Sequence, residues 1–172
     1  SFFNTNKALD QKLDLKNIGL PFLIIYIVSD VGSIFFGWLS SRFIKNGWSP
    51  GRARKTTMLI CALCVVPVVF ASTTHSLFVA IALISLATAA HQGWSANVYT
   101  TSSDLFPKHT VGSVMGIAGM FGALSGVLFA ATAGIIVSKF GYVPLFVIAA
   151  SSYLVGLAIV HWLSPKWEKA KI

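Results

Sequence analysis

Residues 37–55, GWLSSRFIKNGWSPGRARK, decide how the rest of the chain is read. They hold five cations (Arg42, Lys45, Arg52, Arg54 and Lys55) and no acid. In a soluble protein such a run reads as a solvated face or a nucleic-acid patch. Here the flanks exclude that. Residues 18–40 are apolar apart from Ser29, Asp30, Ser33 and Ser40, and residues 57–71 are apolar apart from Thr57. A helix needs ~20 apolar residues to span a bilayer. A short basic connection between two such helices reads as cytoplasmic, because Lys and Arg are retained on that side.

Composition agrees. The chain is 55% hydrophobic and only 10% charged, with a mean hydropathy of +0.76. Soluble domains carry ~25% charged residues. The shortfall predicts an all-α, multi-pass membrane protein facing the lipid bilayer. The net charge of +8 does not point to nucleic acid, because the cations lie between apolar runs rather than along one face. Cys61 and Cys64 form a lone Cys-x-x-Cys within an apolar run. A zinc site needs two further ligands, and none is nearby. Both read as small buried side chains, and neither a metal nor a cofactor is implied.

Working outward, residues 1–17 mix both charge signs and read as an external loop. The abrupt start at Ser1, Phe2 and Phe3 reads as the end of an earlier helix. Five spans are expected, at about 18–42, 56–72, 77–102, 111–138 and 143–163, followed by a tail at 164–172. Summed over alternate connections, one side of the membrane holds nine Lys/Arg and the other four. That bias places the tail in the cytoplasm. Small residues recur every four positions in two spans: Ala118, Gly122, Gly126, Ala130 and Gly134 in the fourth, and Ser29, Ser33, Gly37 and Ser41 in the first. Such ridges let helix backbones approach closely in lipid, where packing drives association. They also permit bundles to rock against each other in a transporter.

Asp30 stands alone as an acid in the middle of a span. A charge there costs ~2.5–3.5 kcal/mol on insertion scales, so such residues face a cavity or a partner. It is a candidate coupling or ion-pair residue, or else a structural acceptor for a neighbouring helix. The third span carries Ser85, Thr88, His91, Gln92, Ser95, Tyr99 and Ser102 within roughly a third of its circumference, at 100° per residue. Trp94, Asn97 and Thr101 lie on another side. Lining a wet cavity explains this polarity, and buried interhelical hydrogen bonding is the alternative. Gln92, Trp94, Ser95, Asn97 and Tyr99 are the expected cavity wall, spread over roughly 10 Å at ~1.5 Å rise per residue. For both faces to meet one ligand the helix has to unwind or kink near Gly93. No catalytic arrangement is present: there is no Gly-x-Ser-x-Gly and no pair of membrane-embedded carboxylates. The chain is not expected to be an enzyme.

Two stretches resemble a known family. In residues 37–55, Gly37, Arg42, Gly47, Arg52, Arg54 and Lys55 are similar to the loop between the second and third helices of a six-helix half of the major facilitator superfamily. Its pattern is Gly-x-x-x-Asp-Arg, then Gly, then Arg-Arg/Lys, and Ser41 stands where Asp is usual. Residues 92–126, with Asp104, Leu105, Phe106 and Pro107 followed by Gly112, Ser113, Val114 and Gly116, resemble the anion:cation symporter branch, and the bacterial hexuronate transporters in particular. The resemblance implies the last five helices of a twelve-helix transporter of the bacterial inner membrane. It implies proton-coupled symport of a sugar acid such as galacturonate or glucuronate, with an N-terminal six-helix half as partner. It makes Gly37, Arg42, Arg52, Arg54 and Lys55 a conformational-switch loop. In this family the main coupling acids and the anion-binding Arg usually lie in the N-terminal half. A symporter for another organic anion, or a non-transporting sensor or assembly subunit on the same scaffold, are the alternatives.

Overall fold

The basic stretch folds as a helix end, a tight turn and a helix start. In the computed structural model, which describes residues 19–167, α1 runs Gly19–Lys45 and carries Arg42 and Lys45 in its last turn. There cations face the negative end of the helix dipole. Gly47 has φ +90°, a conformation that favours glycine. Its N–H donates to the Ile44 carbonyl at 3.0 Å and the Trp48 N–H to the Phe43 carbonyl at 3.1 Å. This is a Schellman ending, and it is closed by the Trp48 ring stacked 4.7 Å from that of Phe43. Ser49 then caps α2 (Pro50–Val65), its hydroxyl accepting from the Arg52 N–H, with Pro50 at the first turn. Proline there lacks only an N–H that would be unpaired anyway.

The second span therefore begins at Pro50, not at 56 as hydropathy suggested. Arg52, Arg54 and Lys55 are helical residues of α2, and Arg42 belongs to the last turn of α1. The expected switch loop shrinks to a turn of a few residues. Hydropathy marks where side chains leave the apolar layer, whereas caps decide where a helix stops.

After Val65 the chain tightens into a 3-10 segment, Val66–Ser72. Pro67 removes an N–H that an α-helix would use. A turn leads to α3 (Leu77–Leu105), which stops just before Pro107. Next come α4 (Lys108–Phe140) and α5 (Tyr142–Leu163), joined by Gly141 at φ +78°. Among the described residues, five helical spans are long and apolar enough to cross a membrane. The expected ends at 42, 102, 111, 138 and 143 each move by one to three residues. The expected loop at 1–17 lies outside the described residues, as does the tail beyond Trp167.

The core sits where α3 packs between α1 and α2, with α5 and the 3-10 segment completing it. Phe36, Cys61, Val65, Val68, Ala71, Ala90 and Ala150 form one buried cluster, and Ile25, Ala80 and Ile81 a second. Cys61 is buried and Cys64 half-buried, and both are free thiols. The tightest seam joins α1 to α3. A methyl at Gly32 would lie 2.5 Å from the Ala89 Cβ and 2.6 Å from its Cα, and one at Gly93 would lie 2.3 Å from the Phe36 ring. Gly93 is thus a point of close approach inside an unbroken helix. The expected unwinding there is not present. On α1 the seam follows Ser29, Gly32, Phe36 and Ser40, and a methyl at Gly37 would meet nothing within 4 Å. The four-residue ridge read along Ser29, Ser33, Gly37 and Ser41 is displaced by one position after Ser29. Helix α4 buries none of its residues, and its glycines face open space among the described residues.

Candidate functional site

Three polar features stand out on this apolar bundle. The first is a cavity of about 600 Å³ between α1, the 3-10 segment, α3 and α5. Most of its wall is apolar, from Ile25, Val68, Ile84 and Leu145 among others. Its polar groups come from Tyr26 and Ser29 on α1, Thr88 and His91 on α3, and Tyr142 and Tyr153 on α5. The His91 Nδ1 and the Tyr153 hydroxyl lie 2.6 Å apart. This pair bridges α3 to α5 at the cavity wall. Trp94 supports it from the side, its ring edge-on to Tyr153 at 5.3 Å. The polar stripe of α3 had marked His91, but nothing in the sequence pointed to its partner 62 residues later.

The second is the outer face of α3. Gln92 and Ser95 are half-buried, and Tyr99 is 56% exposed. Steps of three and four place them one above another, on the side that carries Thr88. They continue that stripe past the cavity, toward the basic end of the bundle. None of the five residues expected to form the wall lines the cavity itself. Trp94 packs toward α5. Asn97 is fully buried, and its amide donates to the Gly93 carbonyl at 2.8 Å. Asn97 sits four residues from Gly93, eight from Ala89 and twelve from Ser85, all buried. Ala89 and Gly93 meet α1 at Gly32 and Phe36, and Ser85 and Asn97 lie in line with them on the same face. The structure thus separates the expected wall into an accessible set (Gln92, Ser95, Tyr99) and two inward-facing members (Trp94, Asn97). Asp30 is exposed on α1, one turn beyond the cavity residue Tyr26 on the same face. No charged side chain pairs with it among the described residues.

The third is the basic end. The Arg54 Nε donates to the Asp104 Oδ2 at 3.1 Å, and the two side chains are 9% and 27% exposed. The Arg54 Nη1 donates to the Ser40 hydroxyl. One guanidinium therefore ties the start of α2 to the ends of α1 and α3. Lys55 donates to the Ser164 carbonyl at the end of α5. Arg42 lies over Trp38 at 5.4 Å, and Arg52 over Trp48 at 4.3 Å. Ser41, which stands where an acid is usual, donates back to the Gly37 carbonyl at 2.9 Å. The carboxylate that meets the basic run is Asp104, fifty residues on. Both residues were singled out in the sequence, but their pairing was not visible there.

Comparison with known proteins bears on the family. The profile of the Major Facilitator Superfamily matches residues 2–130. Over 150 residues the chain is 30% identical to a hexuronate transporter of Escherichia coli (strain K12), covering 87% of this chain and 34% of that protein. Over 137 residues it is 26% identical to a D-galactonate transporter of Escherichia coli O6:H1 (strain CFT073), covering 80% of this chain and 31% of that protein. The chain spans about a third of the length of these relatives. They are transporters, not enzymes. With five membrane-length helices and a family match across three-quarters of its length, this multi-pass membrane protein belongs to the Major Facilitator Superfamily.

Proposed function

We propose that the chain forms the C-terminal half of a secondary active transporter that carries a hexuronate, or a related sugar acid such as galactonate, together with a proton. The observation that carries this reading is the accessible polar face of α3, Gln92, Ser95 and Tyr99, running on from the cavity beside His91 and Tyr153. A bundle this apolar has no need of such a face for stability. Amide and hydroxyl groups there can bond the hydroxyls and carboxylate of a sugar acid. An N-terminal half would close the site from the opposite side, with alternating access by rocking of the halves. Asp30 then takes the coupling role. Its carboxylate is exposed on α1 within an apolar span and meets no cation among the described residues, and such acids face a cavity or a partner.

The test is proton-driven uptake of labelled galacturonate by the full-length protein. Uptake competed by galactonate but not by galactose is expected. Asp30→Asn should abolish accumulation against a gradient while the protein still inserts and folds. Absence of uptake of any sugar acid would favour the sensor or assembly reading. Normal accumulation by Asp30→Asn would reduce that residue to a structural role.

The proposed orientation puts the basic end, with the α1–α2 turn and the segment after α5, in the cytoplasm of a bacterial inner membrane. In a cysteine-free background, a Cys at Ser49 should react with an impermeant thiol reagent only from the cytoplasmic side. A Cys at Thr74 should react only from outside. The reverse pattern would invert the topology.

A further inference from the structure

The cleft between α2 and α5 at the basic end contains two adjoining hollows that the transport path does not use. The upper one, about 370 Å³, is lined by Ser49, Arg52, Lys55, His161 and Trp167 among others, with no acid in its wall among the described residues. The lower one, about 460 Å³, is lined by Leu59, Leu154, Leu157 and Ala158. Lys55, Thr56 and His161 border both, so the two are continuous. Lys55 lies 5.2 Å from the centre of the Trp167 ring. The Trp167 indole N–H is buried and has no acceptor among the described residues. A buried donor without a partner costs about 1–3 kcal/mol, so an acceptor from beyond the described residues fits here. Arg52 is exposed and meets no carboxylate among the described residues.

We propose that this cleft binds one anionic phospholipid. Its phosphate sits in the upper hollow against Lys55, Arg52, His161 and the Trp167 N–H, and one acyl chain lies along Leu59, Leu154, Leu157 and Ala158. Charge complementarity selects the headgroup, since among the described residues the wall carries Arg52 and Lys55 and no acid. The apolar floor between α2 and α5 selects a lipid over a free anion. The site holds for either orientation of the protein, because it depends on the level of the headgroups and not on which leaflet they belong to. A lipid there would clamp α5 to the start of α2, beside the Lys55 bond to Ser164.

Native mass spectrometry of the purified full-length protein tests this. The probes are a phosphatidylglycerol, the phosphatidylcholine of identical chains, and inorganic phosphate. One phosphatidylglycerol should be retained in preference to phosphatidylcholine, by about fivefold for each cation engaged. Lys55→Gln and Arg52→Gln should each lower that preference by about fivefold; the second variant loses only the Arg52 stacking on Trp48, since that side chain has no hydrogen bond or ion pair among the described residues, and so guards against a folding artefact. Ala158→Trp, which fills the exposed lower groove, should lower retention of both lipids. Millimolar phosphate should not displace the bound lipid. Equal retention of the two lipids would overturn the proposal. So would displacement by phosphate together with indifference to Ala158→Trp, which would leave a free-anion site instead.

Discussion

Replacing Asp104 by alanine is expected to destabilise the protein more than replacing its partner Arg54 by glutamine. The order follows from burial. Arg54 is 9% exposed and Asp104 27%, so removing the acid leaves a cation stranded inside the bundle, whereas removing the cation leaves an acid that water still reaches. Losing one partner of a fully buried pair costs about 3–5 kcal/mol, and losing an exposed pair about 0–1 kcal/mol. Asp104→Ala should fall toward the upper range and Arg54→Gln near the middle, about 2 kcal/mol. The double variant should be more stable than Asp104→Ala alone, because the stranded charge is gone. Thermal melting of the detergent-solubilised full-length protein reads the order, and a simple additive loss would deny the pairing. Transport should respond too. Changing Arg52, Arg54 and Lys55 together to glutamine removes the ties from α2 to the ends of α3 and α5. Uptake should slow while substrate affinity changes little.

Gly32→Ala should be among the most damaging single-methyl changes in the chain. On propensity alone it would stabilise a helix by about 1 kcal/mol. Here the added carbon would meet the Ala89 Cα at 2.6 Å and its carbonyl oxygen at 2.7 Å. Those are backbone atoms, so no rotamer change relieves the clash and the helices must separate. Overpacking of this kind costs about 1–3 kcal/mol, occasionally more, and this site belongs at the top of that range. The opening would also misplace the seam at Gly93 and Phe36. Gly119→Ala on α4, where a methyl meets nothing within 4 Å, should shift melting far less. Equal shifts for the two variants would mean that the α1–α3 seam is not the tight contact of the bundle.

The five spans and the basic end were legible because both depend on composition along the chain, which a membrane reads directly. The start of α2 was not. Its cap at Ser49 and Pro50 lies inside the charged run, where hydropathy points to a loop. Gly93 was ambiguous from sequence alone: a glycine serves equally for a helix break or for close approach, and only Phe36 across the seam decides between them. Asn97 looked like a cavity residue because it is polar, yet Ser85, Ala89, Gly93 and Asn97 repeat every four positions. The same spacing had already marked a ridge on α4, and applied to α3 it would have turned Asn97 inward. The pairs Arg54–Asp104 and His91–Tyr153 join positions fifty or more residues apart, and no local pattern announces such a contact. Arg54 and Asp104 each stood out as motif residues and His91 as part of a polar stripe, but neither contact did.

The most direct measurement concerns Ser95. It lies on the accessible face of α3, whereas Ser85 is 4% exposed on the face that carries Ala89 and Gly93. Each is changed to Cys in a cysteine-free full-length protein and treated with an impermeant thiol reagent, with and without galacturonate. The account predicts that the Cys at Ser95 reacts, that galacturonate protects it while galactose does not, and that the Cys at Ser85 stays unreactive throughout. A Ser95 site that is inert, or that reacts at the same rate whatever sugar acid is present, would contradict the claim that this face of α3 lines the substrate path.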